Sequence, residues 1–165
     1  MCQDKRKNFD ENAILSFLDL NPDSSVIDLG AGDGFFSKIL RKKFRDITAF
    51  DVDDSGFDDL RKDAIKTVKG NICEYAFQSY DIAFIANVFH GLSQECDGIY
   101  KILQHIVRQF LVIIDFKPST SFGPPENMKI SENKMIENFE KKGFSFIKDK
   151  DLGTHYMILF RKNDT

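Results

Sequence analysis

Apolar residues along this chain follow two spacings. Short, mainly apolar runs recur at 26–29, 47–50, 82–86 and 110–114, the last two unbroken and apolar on both faces, and between them apolar positions fall three and four residues apart. Runs that are apolar on both faces are expected of strands buried in a covered parallel sheet, and the three-and-four spacing marks helices lying on it. The first helical stretch covers 10–20, with Ala13, Ile14, Phe17 and Leu18 on one face and Asn21-Pro22 as its stop. A strand over 26–29, a helix over 33–43, a strand over 47–51, a short helix around 55–62 and a third strand over 65–68 follow. Beyond the strand at 82–86, Ile99, Ile102, Leu103 and Ile106 form a helical stripe that leads to the strand at 110–114.

The last quarter changes character. Ser131 suits an N-cap, Met135, Ile136 and Phe139 continue at helical spacing, and Gly143 supplies the C-terminal stop. Strands over 144–148 and 154–161 lie close enough in sequence to pair as a hairpin, which must be antiparallel. The predicted class is therefore α/β, a three-layer sandwich.

With 165 residues, 42% of them apolar, the chain can bury one proper core but has no room for two ordinary domains, so residues 1–165 are expected to form a single domain. Its 17 phenylalanines and lack of tryptophan make that core aromatic. A net charge of −3 gives no sign of a nucleic-acid backbone or an anionic membrane as partner. Cys2, Cys73 and Cys96 are widely spaced and form no C-x-x-C pair, so neither a disulfide nor a metal site is expected. No stretch approaches a membrane span and the charged N-terminus lacks the apolar segment of a signal peptide, which places the protein in the cytoplasm. There is no internal repeat and no low-complexity linker.

Candidate chemistry concentrates at Val26-Ile27-Asp28-Leu29-Gly30-Ala31-Gly32-Asp33-Gly34. An apolar run, an acid near its end and three alternating glycines precede helical spacing at Phe36, Ile39 and Leu40, so the segment reads as strand, tight turn and helix. Main chain without Cβ atoms lets a ligand lie directly against it. A dinucleotide fingerprint needs G-x-G-x-x-G, and its last position is Phe35 here. A plain tight connection is the bland alternative. The D-x-G-x-G-x-G pattern instead resembles the class I S-adenosylmethionine-dependent methyltransferases, and a second strand ending in an acid, Ile47-Thr48-Ala49-Phe50-Asp51, extends the likeness.

The resemblance spans the chain from about Leu18 onward and implies a seven-stranded, mostly parallel, Rossmann-like sheet with an antiparallel C-terminal hairpin. It implies S-adenosylmethionine as cofactor and S-adenosylhomocysteine as product, with Asp28, Gly30, Ala31 and Gly32 around the methionine end. Asp51, chosen over Asp53 and Asp54 because the apolar run stops there, would accept from the ribose hydroxyls, with Val52 beside it. Asn71 and Ile72 would hold the adenine; Asn71 stands where the family usually carries an acid, and it also reads as an ordinary turn asparagine.

The segment Asn87-Val88-Phe89-His90-Gly91-Leu92, expected as a loop, is similar to the small-molecule branch of the family, including the type 11 and ubiquinone/menaquinone-biosynthesis enzymes. It lacks the Asn/Asp-Pro-Pro-aromatic sequence of the amino-methylating nucleic-acid enzymes. Asn87 and His90 would face the transferred methyl group, and His90 is the candidate general base, with simple packing beside Phe89 and Leu92 as its alternative. His155 and Tyr156 would border the acceptor pocket, although strand alternation turns them to opposite faces. The long segment 116–130 and the helix within 1–20 are candidate covers. The acceptor is then small, or a partner chain or second copy completes the pocket. A module that binds the cofactor without catalysis is the alternative function.

Overall fold

The protein is described by a computed structural model covering residues 9–164. Cys2 and the charged stretch at 1–8 lie outside the described residues, as does Thr165. The elements run α1 (Glu11–Phe17), β1 (Ser25–Leu29), α2 (Phe35–Arg41), β2 (Asp46–Asp51), α3 (Phe57–Lys62), β3 (Lys66–Lys69) and β4 (Tyr80–Ala86). They continue with α4 (Phe89–Glu95), α5 (Ile99–Ile106), β5 (Val107–Phe116), a 3-10 turn (Glu126–Met128), α6 (Glu132–Glu140), β6 (Phe144–Asp151) and β7 (His155–Lys162).

The strands form one seven-stranded sheet in the order β3-β2-β1-β4-β5-β7-β6. Strand β7 runs antiparallel to both of its neighbours, and the other pairings are parallel. This is the seven-stranded, mostly parallel sheet with an antiparallel C-terminal hairpin that the sequence resemblance implied. The chain winds outward from β1 to β3 and then returns to the other side of β1 as β4, which puts the topological switch point, where ligands bind in open α/β sheets, between β1 and β4. The central strands are buried on both faces because helices cover both. Ile14, Phe17, Phe36, Leu40, Phe57 and Leu60 of α1 to α3 pack with Val26, Phe84, Val112 and Met157 on one side. Phe89, Leu103, Met135 and Phe139 of α4 to α6 pack with Ile27, Ile85, Ile113 and Phe160 on the other.

Local chemistry fixes the ends. Asp10 caps α1 by accepting from Ala13 N, and Ser131 caps α6 by accepting from Lys134 N. Gly34, at the start of α2, has φ of +86°, and a Cβ there would sit 2.2 Å from Leu60 Cδ2. Leu60 is fully buried and has nowhere to move. Gly34→Ala is therefore expected to destabilise the fold by about 2–5 kcal/mol, from left-handed backbone strain plus overpacking. Denaturant unfolding measures this, and a loss below 0.5 kcal/mol, about the level of a neutral surface change, would contradict the packing described.

Two expectations need correction. Residues 89–95 are helical, not loop; Gly91 inside the segment and a single fully buried side chain, Phe89, leave too little periodicity to announce a helix of seven residues. Cys73 and Cys96 are disulfide-bonded, with Cα atoms 5.6 Å apart. Sequence spacing hides this because the turn after β3 and the end of α4 meet only when β4 returns to the centre of the sheet.

Candidate active site

Strands β1, β2 and β4 all end at the same edge, and each delivers a polar residue there. Asp28 lies near the end of β1, Asp51 ends β2, and Asn87 follows β4. Two adjoining cavities open along this edge and share Gly30 and Val88 as lining. The larger, about 450 Å³, is bounded by Asp51, Val52, Asn71, Ile72, Leu92 and Glu95 among others. The smaller, about 220 Å³, is bounded by Asp28, Gly30, Ala31, Gly32, Phe35 and Asn87 among others. The sites expected for the cofactor thus fall along one continuous cleft.

The glycine turn shapes the junction. Gly30 adopts φ of +76°, and a Cβ there would stand 2.9 Å from Val88 Cγ2, so only glycine lets the turn approach the start of α4. Gly30 N and Ala31 N both donate to Phe50 O, which ties the turn to β2. Gly32 N donates to Asp51 Oδ2 at 2.7 Å, and Asp53 N to Asp51 Oδ1 at 2.9 Å. A carboxylate offers about four acceptor positions. These two bonds fix the Asp51 side chain and leave the rest of its capacity at the cavity.

Asp28 is buried and accepts from Ser37 Oγ at 2.6 Å. Burial pushes its carboxyl up to about 7; the Ser37 bond opposes that rise and the Asp51 charge adds to it. Asn87 is held at φ of +65°, and its Oδ1 is buried with no hydrogen-bond partner. Such an orphan is costly unless a ligand donor meets it. Val52 is 60% exposed and gives the cavity wall an apolar surface. Asn71 Oδ1 accepts from Cys73 N at 2.9 Å, so its side chain does build the turn that the sequence allowed for, with one lone pair remaining.

Beyond the smaller cavity lies a constellation of rings. His90, in the first turn of α4, places Nδ1 2.9 Å from Asp115 Oδ1. Asp115, near the end of β5 and almost fully buried, also accepts from His90 N at 3.1 Å and from Phe116 N at 2.8 Å. Since a carboxylate only accepts, the imidazole proton is assigned to Nδ1, which leaves Nε2 as an acceptor. Phe116 lies 6.0 Å from the His90 ring, 4.2 Å from His155 and 6.0 Å from Phe122, centroid to centroid. Phe9 extends the cluster from His155 (4.9 Å) to Phe36 (5.5 Å) and Phe35 (6.4 Å).

His155 and Tyr156 part company as alternation requires. The His155 side chain is buried beside Phe116 with Nε2 unpartnered, and burial pushes it down to about 4, against the pull of the Asp115 charge, so it is neutral near pH 7. Tyr156 turns into the opposite core, donates its hydroxyl to Ile130 O at 2.7 Å and so ties down the end of the 116–130 segment. Burial raises its hydroxyl well above the ordinary tyrosine range. Asp115 is the residue that sequence reasoning missed. Its signal is an acid closing an apolar run as Asp51 does, but the unbroken apolar run stops at Ile114, two residues short of the end of β5 at Phe116.

Among the described residues, no helix is long and apolar enough to cross a membrane. The profile of the methyltransferase domain family matches residues 26–109, just over half of the chain. No curated protein sequence matches it. Among solved structures, a SAM-dependent methyltransferase from Aquifex aeolicus superposes with a TM-score of 0.84 at 22% identity, covering 97% of this chain and 94% of its own. Magnesium protoporphyrin IX methyltransferase from Synechocystis PCC 6803 with bound SAH superposes at 0.78 with 14% identity, covering 99% of this chain and 89% of that one. A Burkholderia thailandensis 1,6-didemethyltoxoflavin-N1-methyltransferase, solved with that substrate and S-adenosylhomocysteine, gives 0.74 at 21% identity over 98% of this chain and 80% of its own.

Proposed function

We propose, since this chain belongs to the methyltransferase domain family, that it transfers the methyl group of S-adenosylmethionine to a small-molecule acceptor that carries an ionisable proton. The observation that carries this reading is the joined cleft at the ends of β1, β2 and β4, where ready acceptor atoms on Asp51 and Asn87 flank a glycine turn. The residues present fit the cofactor. Asp28 and the orphaned Asn87 Oδ1 suit an α-ammonium group, Asp51 suits a ribose diol, and Val52, Ile72 and Leu92 offer apolar surface to an adenine ring. When bound, the cofactor supplies a methyl group made electrophilic by its sulfonium, with a neutral thioether as leaving group.

The protein's share is to orient the acceptor, exclude water and take a proton. Asp115 holds His90 with Nε2 as acceptor, so that His90 can receive the proton of a hydroxyl, amine or thiol. Phe116 joins the His90, Phe122 and His155 rings into one aromatic cluster beside the candidate base, and Phe9 links it to Phe35 at the smaller cavity, surroundings suited to a planar acceptor. Phe9, just ahead of α1, packs on His155, and Phe122 brings the 116–130 segment onto Phe116, which supports reading these two segments as covers of the acceptor side. Two proteins of this fold, the magnesium protoporphyrin IX methyltransferase and the 1,6-didemethyltoxoflavin-N1-methyltransferase, are named for small-molecule acceptors, which supports a small molecule here.

Thermal unfolding tests the reading. S-adenosylhomocysteine is expected to raise the melting temperature by mass action and NAD to leave it unchanged; the reverse would contradict the assignment. Methyl transfer to any acceptor in a mass-spectrometric screen would exclude a purely binding role.

The Asp28 carboxyl adds a pH dependence. An ammonium group beside it favours the ionised form, so below about pH 7 binding must displace a proton. Affinity for S-adenosylhomocysteine is expected to fall about tenfold from pH 8 to pH 6, the change for one proton released over one unit below the pKa. Calorimetry in buffers of different ionisation enthalpy reads the proton directly. Equal affinity with no proton released would remove Asp28 from the ammonium site.

A further inference from the structure

The disulfide sits at the adenosine end of the cleft. Cys73 is exposed and lines the larger cavity in the turn 70–74, while Cys96 is buried at the C-terminus of α4, directly after the lining residue Glu95. The bond therefore joins the two walls between which the cavity opens: Asn71, Ile72 and Glu74 on one side, Val88, Leu92 and Glu95 on the other. Both anchors are built into local structure. Cys73 N donates to Asn71 Oδ1, and Cys96 N donates to Leu92 O to close α4. At its other end, α4 carries His90, held by Asp115. Fixing Cys96 thus fixes the short helix that borders both the adenosine cavity and the base.

We propose that Cys73 and Cys96 form a reversible thiol–disulfide clamp across the adenosine end of the cleft, through which small thiols and disulfides set its affinity; this rests on the cofactor assignment above. A small thiol such as glutathione, as its thiolate, attacks Sγ of Cys73, the exposed residue of the pair, forms a mixed disulfide and releases the Cys96 thiolate, which takes up a proton. A second thiol attacks the glutathione sulfur of the mixed disulfide, freeing Cys73 as a thiol and leaving oxidised glutathione. Two electrons pass from the two small thiols to the pair, and oxidised glutathione runs the sequence backward. Exposed disulfides are the ones open to such exchange. With the bond closed the walls are held at the spacing the ligand needs; with it open, ligand binding must order them.

The test uses the full chain in a Cys2→Ser background, so that this pair is its only thiol chemistry. S-Adenosylhomocysteine is titrated by calorimetry into protein treated with oxidised glutathione and into protein reduced with a phosphine. The oxidised form is expected to bind about tenfold tighter, within the usual range of coupling between sites. By linkage, saturating ligand must make the pair about 30 mV harder to reduce, the two-electron equivalent of that factor. Cys73→Ser, at the exposed position, and Cys96→Ala should each bind like the reduced form and ignore the redox treatment. Equal affinity in the two states overturns the clamp and leaves the cofactor site standing. Failure of both states to bind overturns the two together. A pair that stays as free thiols in oxidised glutathione, read by mass after alkylation, overturns the clamp as well.

Discussion

His90→Ala is expected to lower kcat for methyl transfer to a protonated acceptor by about 10²–10⁴-fold, the usual contribution of a positioned general base, with little change in affinity for the cofactor. The expectation follows from three bonds on one buried carboxylate. Asp115 accepts from His90 Nδ1, His90 N and Phe116 N, which locks the ring orientation and leaves Nε2 as the basic atom. Added imidazole should restore part of the lost rate, which a merely structural histidine would not allow. Asp115→Ala should act in the same direction through His90, lowering kcat while sparing cofactor affinity. A His90→Ala enzyme that turns over within threefold of the parent would make proton transfer irrelevant to this site.

Asp51→Ala is expected to weaken S-adenosylhomocysteine binding by about 1.5–3 kcal/mol, since charge-assisted hydrogen bonds to a ribose diol would be lost. The pre-set position of the side chain supports a large effect. Gly32 N and Asp53 N already hold both oxygens, so little ordering remains to be done when the ligand arrives. The variant has a second consequence, because Gly32 N loses its acceptor and the glycine turn loosens. Asp51→Asn separates the two effects: it keeps one acceptor for the turn but removes the charge, and should fall between parent and alanine. Calorimetric affinity unchanged in Asp51→Ala would remove Asp51 from the cleft.

The strand pattern and the glycine turn were legible because each follows from strictly local physics. Val26 to Leu29 is buried on both faces, and three alternating glycines allow backbone that β-carbons forbid at Gly30 and Gly34. The antiparallel pairing of the last two strands could be read for the same reason, whereas the seven-stranded sheet came with the family resemblance; β7 then brings His155 opposite Phe116 on β5. What could not be read depends on distant partners. Helix α4 is stabilised by Phe89 in the core and by Asp115 beneath His90, neither of which leaves a period in seven residues. The Cys73–Cys96 bond joins residues 23 apart whose meeting depends on the route of the whole chain around β4. The division of His155 from Tyr156 followed from alternation, but that Tyr156 would spend its hydroxyl on Ile130 O did not.

The central claim is that the glycine turn, Asp51 and Asn87 together enclose an adenosyl amino acid. A crystal structure of the protein with S-adenosylhomocysteine tests it most directly. The expected result is one ligand spanning both cavities, its ammonium at Asn87 Oδ1 and Asp28, its ribose on Asp51, and its adenine between Val52 and Ile72. The contradicting result is a saturated crystal in which this cleft is empty or the ligand lies elsewhere.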